Sequence, residues 1–368
     1  MLSLEEALEQ GAWTGPLARV LAHGYRHTLG GSVQRALSIP SGVRVVAVGG
    51  ATLGGSGKTP LSIACARELA ASGARTTLVG HAHRANPGHA RIVSTADPIE
   101  QVGDEALIAA RVLGALGARV VVAPTRAAAI AFAAREADVL VLDGVPQVAP
   151  VRASLALLSL DGFEPWGHAA ALPPRGDLRA PRQTLIEACD AIVPIVDGPW
   201  PEDRTGIERW GACGDRISQN LGCEKAAEPI QTAFESRLGL EPPSRDIWPA
   251  HLVCRGAWDA SGNLWAWEAL RCVRIGLLTA LARPDRVLRT LARRGVLPRV
   301  VLRGRDHGPI EKRHERERRD ERIDLWLATP KCALHARNAG MRTPLATLDH
   351  SVVLHPRLCA RLGALAVP

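Results

Sequence analysis

The chain has 368 residues, of which 46% are hydrophobic and 22% charged, and carries a formal net charge of +8. That length allows two domains and a substantial core, and the composition excludes a disordered chain. The basic balance favours anionic partners, and charge alone admits nucleotides, phosphorylated lipids, an anionic membrane face and nucleic acid.

Eight cysteines are scattered without a C-x-x-C pair, which fits a reduced cytosolic protein and gives no zinc signature. Met1-Leu-Ser-Leu-Glu-Glu6 lacks the basic and apolar parts of a signal peptide, and no run approaches the roughly 18 apolar residues of a spanning helix. A soluble or peripheral protein is therefore expected. Residues 16–37 put Leu17, Val20, Leu21, Tyr25 and Leu29 near helical spacing, with Arg19, His23, Arg26, His27 and Arg35 between them. Two readings fit: a basic amphipathic helix on a membrane surface, or a helix packed on the domain with a solvated basic face.

From residue 43 short apolar runs alternate with longer helical ones. The pattern predicts strands at 43–48, 75–79, 119–123, 139–142 and 155–160, with helices at 58–72, 103–116 and 125–136. Such alternation argues for an α/β fold, a parallel sheet with helices on both faces whose ligands sit beyond the carboxyl ends of the strands. A strand-like run at 190–196 closes this part. Residues 197–250, rich in Pro, Gly, Trp and charge, read as a linker or irregular insertion. A second, smaller α/β section is expected over 251–368, with strands at 273–278, 299–302 and 323–328 and a helix at 284–294. The expected organisation is thus an N-terminal amphipathic segment (1–40), a P-loop nucleotide-binding domain (41–196), the linker and the second domain. The mixed-sign run 311–322 reads as a solvated helix face.

Thr52-Leu-Gly-Gly-Ser-Gly-Lys58-Thr59 joins the first strand to the first helix of this alternation. Gly54, Gly55 and Gly57 allow close backbone approach to an anion, and the following helix adds its positive end. Lys58 is placed to reach the β- and γ-phosphates of ATP, and the Thr59 hydroxyl to hold Mg2+. The cofactor set expected here is Thr52, Gly54, Gly55, Ser56, Gly57, Lys58 and Thr59. The regular spacing G-x-x-x-x-G-K-[ST] would put glycine at 52. Val139-Leu-Val-Leu-Asp143 is a buried-strand pattern ending in a carboxylate, where a nucleotide enzyme needs an acid for its metal. Asp104 is either a helix-opening acid favoured by the dipole or a general base near the γ-phosphate. Asp306-His307 lies in a loop after a strand, as a catalytic or a surface pair. His81, His83 and His89 have poor metal spacing and read as a solvated loop.

The order of these segments resembles the tetraacyldisaccharide 4'-kinases, which phosphorylate the lipid A precursor. Thr52–Pro60 reproduces the family's T-x-G-G-x-G-K-T-P, with threonine in the irregular first position. Val102-Gly-Asp-Glu105 is similar to V-G-D-E, and Leu172-Pro-Pro-Arg-Gly-Asp-Leu-Arg179 to L-P-x-G-P-L-R-E. Asp190-Ala-Ile-Val matches the next strand, Ala282-Arg-Pro284 and Gly295 match the two ends of a helix, and Arg305-Asp-His307 is similar to D-H-H. The resemblance implies that Lys58 and Thr59 bind phosphate and magnesium, Asp104 takes the sugar-hydroxyl proton and His307 orients it. It also implies two α/β domains facing a cleft, an N-terminal helix on the inner membrane and an acylated disaccharide lipid as substrate.

Departures are visible. D-D-G-x-Q-H appears as Leu142-Asp143-Gly144-Val-Pro-Gln147, R-G-Y-G as Gly80-His-Ala-His-Arg84, T-E-K-D as Thr329-Pro-Lys-Cys332, and Gly308 replaces the second histidine of D-H-H. The alternative to a kinase is a diverged protein that binds ATP and has lost catalysis. A nucleic-acid-dependent ATPase is suggested only by charge, and 4% aromatic residues without a stacking motif speak against it. A monomer is expected.

Overall fold

Strands buried on both faces need apolar residues at every position, and that is what the valine, leucine and alanine runs supply. The computed structural model describes residues 7–8, 11–33, 37–80, 82, 85–144, 153–197, 245–281, 284–304, 322–336 and 343–367. The first part runs α1 (Pro16–Val33), β1 (Arg44–Gly50), α2 (Lys58–Ala71), β2 (Thr76–Val79), β3 (Arg91–Ile92), α3 (Ile99–Val102), α4 (Asp104–Leu113), β4 (Arg119–Val122), α5 (Arg126–Ala133), β5 (Val139–Asp143), β6 (Leu155–Asp161), α6 (Arg182–Glu187) and β7 (Ala191–Asp197). The rest runs β8 (Asp246–Ile247), β9 (Ala250–Trp258), β10 (Leu264–Ala266), α7 (Trp267–Arg271), β11 (Ile275–Thr279), α8 (Pro284–Arg293), β12 (Val300–Arg303), β13 (Leu325–Ala328), α9 (Pro330–Ala336), β14 (Leu345–Val353) and α10 (Pro356–Ala366).

All these strands join one sheet, in the order β12-β11-β13-β14-β9-β7-β6-β1-β5-β2-β4-β3, with β10 on β9 and β8 on β7. The stretches 41–196 and 251–368 are continuous through β7 and β9, which pair from Ile195↔Ala250 to Asp197↔Leu252. The expectation of a parallel sheet holds for β1, β2 and β4 to β7 and again for β11 to β14, and is corrected for the whole. β9 pairs antiparallel with β14 and β10, and β3 with β4, so the sheet is mixed. The short connection from β9 to β10 can only reverse the chain, because a parallel return needs a crossover of a dozen or more residues.

Alternation along the strands splits the core between two helical layers. Val46 and Val48 of β1 and Val139 and Val141 of β5 pack with Leu61 and Leu69 of α2 and with α4. Val45, Ala47, Leu140 and Leu142 pack on the opposite face against Ala129, Ile130 and Ala133 of α5. Each fully buried Leu or Val contributes roughly 1.5–3 kcal/mol. α10 extends the first layer through Leu358 and Leu362, and Arg67 of α2 donates to the Val352 carbonyl of β14 at 2.9 Å. The expected linker at 197–250 falls mostly outside the described residues, as does the charged run at 311–321. Among the described residues no helix is long and apolar enough to cross a membrane.

α8 lays a polar face on the carboxyl ends of β6 and β7. Arg286 lies 3.4 Å from Asp161 and donates to the Ile195 carbonyl at 3.3 Å. Thr290 donates to Asp197 at 2.7 Å, and the Arg289 guanidinium stacks 4.3 Å from the Phe163 ring centre. Three enclosed histidines lie beyond this seam: His251 on β9, His350 on β14 and His355 at the start of α10. Burial, the largest cause in each case, pushes His251, His350 and His355 down to about 4, aided by neighbouring His355, Arg286 and Arg357 respectively, while Asp197 opposes the effect on His251 and His350. Neutral His355 also accepts a hydrogen bond from the Arg357 N–H at the start of α10.

All three are neutral in the folded and unfolded chain above about pH 6.5, so their contribution to stability is complete there. As pH falls from there towards 4, the unfolded chain takes up protons that the folded chain refuses. The free energy of unfolding from urea titrations is expected to fall across this window, by on the order of several kcal/mol in total, with the share of the less enclosed His355 reduced by solvent screening. An unfolding free energy that stays level between pH 6.5 and 4 contradicts this.

Candidate active site

The site is set by the register of β1 on its two neighbours. Val48 lies beside Asp143 of β5, and Gly50 beside Ser159 of β6. The Ser159 hydroxyl donates to the Ser56 carbonyl at 2.7 Å and so anchors the glycine-rich turn between β1 and α2. Gly57 caps α2 in the left-handed region at φ 78°, and a Cβ there would meet Ile195 Cγ1 at 2.9 Å. Gly57 offers no side chain to cap this helix. The first-turn N–H groups therefore receive no acceptor from the cap residue, and Pro60 removes one donor at a position where it would have had no helical partner. An uncapped helix start behind a glycine turn is an anion site.

Thr52, the irregular residue, closes this turn. It is buried, its hydroxyl donates to the Gly54 carbonyl at 2.5 Å, and it bridges to Leu178. Leu53 N–H donates to the Asp177 carbonyl, and Arg179 N–H to that of Ala51. The 172–179 segment is thus docked on the turn. Ser56 is buried against Gly50, where a Cβ would come within 2.1 Å of its hydroxyl oxygen, so an anion would meet its backbone rather than its side chain.

Asp143, at the end of β5, is buried. Its Oδ2 accepts from Thr59 at 2.8 Å and its Oδ1 from Ser62 at 3.1 Å. Burial pushes its carboxyl up and the charge of Glu105 adds to that, while Lys58, the Thr59 hydrogen bond and Arg126 pull it down. Arg126, at the start of α5, donates to the Asp143 carbonyl at 2.5 Å. Burial lowers the Arg126 guanidinium, against the pull of Asp143. Arg179 is likewise lowered by burial and faces Tyr25 of α1, whose phenol is raised by burial.

A carboxylate, a hydroxyl and a lysine at the mouth of an anion site fit a phosphate-bound magnesium ion, which takes few protein ligands and keeps several waters. Thr59 and Asp143 would hold it. Among the described residues no cluster of three or more His, Cys, Asp or Glu forms a separate metal centre. His81, His83 and His307 lie outside the described residues.

The turn opens into a cavity of about 920 Å³ whose lining includes Lys58, Thr59, Glu105 and Arg179 on one side and Arg286 and Lys331 on the other. Asp104 opens α4 beside it. Its Oδ1 accepts from the Glu105 N–H at 2.8 Å, and its Oδ2 lies 3.0 Å from Nε2 of His335 on α9.

The profile of the tetraacyldisaccharide-1-P 4'-kinases, LpxK, matches residues 19–364. The chain belongs to this family. A tetraacyldisaccharide 4'-kinase of Anaeromyxobacter sp. strain Fw109-5 is 31% identical over 327 residues, 87% of this chain and 77% of that one. That of Anaeromyxobacter sp. strain K is 31% identical over 276 residues, and there the chain spans 65% of the relative's length. Among solved structures, LpxK from Aquifex aeolicus in complex with ATP superposes with a TM-score of 0.61 over 96% of this chain and 98% of that one, at 17% identity. That likeness is one of fold.

Within the LpxK family pattern, Leu142 stands where the first of two acids is usual, and it is fully buried in the apolar layer against α5. The charge of Glu105, on a different element, faces Asp143 instead. Glu105, Arg126 and Arg179 join the site without a local sequence signal that assigns them a role. The glycine turn also makes a direct prediction. Gly57→Ala forces a left-handed alanine against Ile195, costing about 1–2 kcal/mol and displacing the first-turn N–H groups. Calorimetry is expected to show at least a tenfold loss of ATP affinity in a folded protein; unchanged affinity would remove the turn from the site.

Proposed function

We propose that the chain is an ATP-dependent phosphotransferase that phosphorylates the 4' hydroxyl of a tetraacyl disaccharide 1-phosphate. The observation that carries this reading is the Thr59–Asp143 pair beside Lys58, at an uncapped helix start that opens into the same cavity as Lys331. Family membership supports the substrate. When bound, magnesium supplies positive charge to the β- and γ-phosphates. Lys58 neutralises the transferring phosphoryl group, and the backbone of 54–58 holds its oxygens. Asp104 accepts the proton of the 4' hydroxyl as that oxygen bonds to the γ-phosphorus and the bond to the ADP oxygen breaks. Two α/β lobes flank the cleft. Exposed Trp13, Leu17, Val20 and Leu21, on and just before α1, support attachment to the inner membrane face from the cytoplasm.

A second reading, ATP binding without transfer, is favoured by one observation: the apolar burial of Leu142 where the family supplies an acid. Transfer of label from γ-labelled ATP to the acylated disaccharide separates the two. Turnover is expected in the wild type. Lys58→Ala and Asp104→Ala are each expected to lose at least about a hundredfold in kcat. Tight ATP binding with no turnover on any acylated disaccharide would establish the second reading, and full activity in both variants would sink the assigned roles.

A further inference from the structure

We propose that His335 is a positioning residue for Asp104, in addition to the His307 that the resemblance implies. This rests on Asp104 being the base, and it adds a residue that the family resemblance does not single out. A carboxylate that must meet one hydroxyl needs its rotation fixed, and Asp104 has a tether on each oxygen. Oδ1 is held by the Glu105 N–H of its own helix, and Oδ2 by His335 Nε2 at 3.0 Å. Both side chains are withdrawn from solvent, at 12% exposure for His335 and 4% for Asp104, so water competes little for the bond.

The helix that carries His335 is itself well anchored. Thr329 accepts from the Cys332 N–H at 3.3 Å and caps the start of α9. The Cys332 sulfur accepts from the Ala280 N–H just beyond β11 at 3.2 Å. Cys332, Ala333 and Ala336 are buried in the cluster formed with β11, β12 and β13. The altered T-E-K-D segment, Thr329-Pro-Lys-Cys332, therefore seats the helix that presents the histidine. Lys331 and Leu334 of the same helix line the cavity, which places His335 at its border.

Asp104 belongs to the group of strands that carries the glycine turn, whereas His335 follows β13 in the group of opposite direction. The bond between residues 231 apart thus ties the orientation of the base to the seating of one group on the other. Misplacing a reacting group by about 1 Å costs on the order of a hundredfold, without removing either substrate's binding contacts.

Steady-state transfer from ATP to tetraacyl disaccharide 1-phosphate tests this in the full chain with His335→Gln, His335→Asn, His335→Ala and Asp104→Asn. Glutamine can set an amide N–H near the position of Nε2; asparagine falls short. His335→Gln is expected to keep kcat within about fivefold of wild type, while Asn and Ala lose about 10- to 100-fold with both KM values little changed. Equal kcat for His335→Gln and His335→Asn overturns the proposal, and that comparison stands even if His335→Ala fails to fold. An Asp104→Asn enzyme that loses activity beside an unaffected His335→Asn refutes only the positioning role. A fully active Asp104→Asn refutes the base assignment itself.

Discussion

The buried carboxylate of Asp143 is the constraint on which the candidate site depends. An isolated ionised carboxylate in an apolar interior carries a desolvation cost of several kcal/mol, so it persists only with partners. Here those partners are also the parts of the site: the Thr59 and Ser62 hydroxyls from α2 and the positive charges of Lys58 and Arg126. The register of β1 on β5 brings them together by setting Val48 beside Asp143. A one-residue slip would turn Asp143 to the α5 face and Leu142 toward the turn.

The second group of strands completes the cavity. β9 continues the sheet from β7, and antiparallel pairing with β14 reverses direction for β13, β11 and β12. α8 then grips the carboxyl ends of β6 and β7 through Arg286 and Thr290, and α9 reaches Asp104 through His335. The groups at this junction are polar and buried, and the neutral histidines of β9 and β14 make it sensitive to acid. The same junction forms one wall of the cavity, through Arg286, His350 and Lys331.

What the sequence discloses here is what is local. Strand, glycine turn and helix are contiguous, so Thr52 to Thr59 and their placement could be read directly, and the apolar run before Asp143 marks its strand. The antiparallel strands β9 and β14 escaped because histidine, arginine and aspartate interrupt their apolar pattern, as in His251, Arg255, Asp349 and His350. α9 escaped because it is a single short helix of seven residues opening on proline, with no amphipathic period to detect. Its pairing with Asp104 spans 231 residues, and nothing in local spacing encodes such a contact. The role of Thr52 was legible as an irregularity and became intelligible only when its hydroxyl was seen closing the turn on Gly54.

Asp143, with Thr59, is proposed to hold the metal that accompanies the nucleotide. Calorimetric titration of ATP into the wild type and Asp143→Asn, each with and without magnesium, addresses it directly. Magnesium is expected to tighten ATP binding at least tenfold in the wild type and not in Asp143→Asn, while binding without the metal differs little between them. An Asp143→Asn protein that keeps the full magnesium-dependent gain would contradict it.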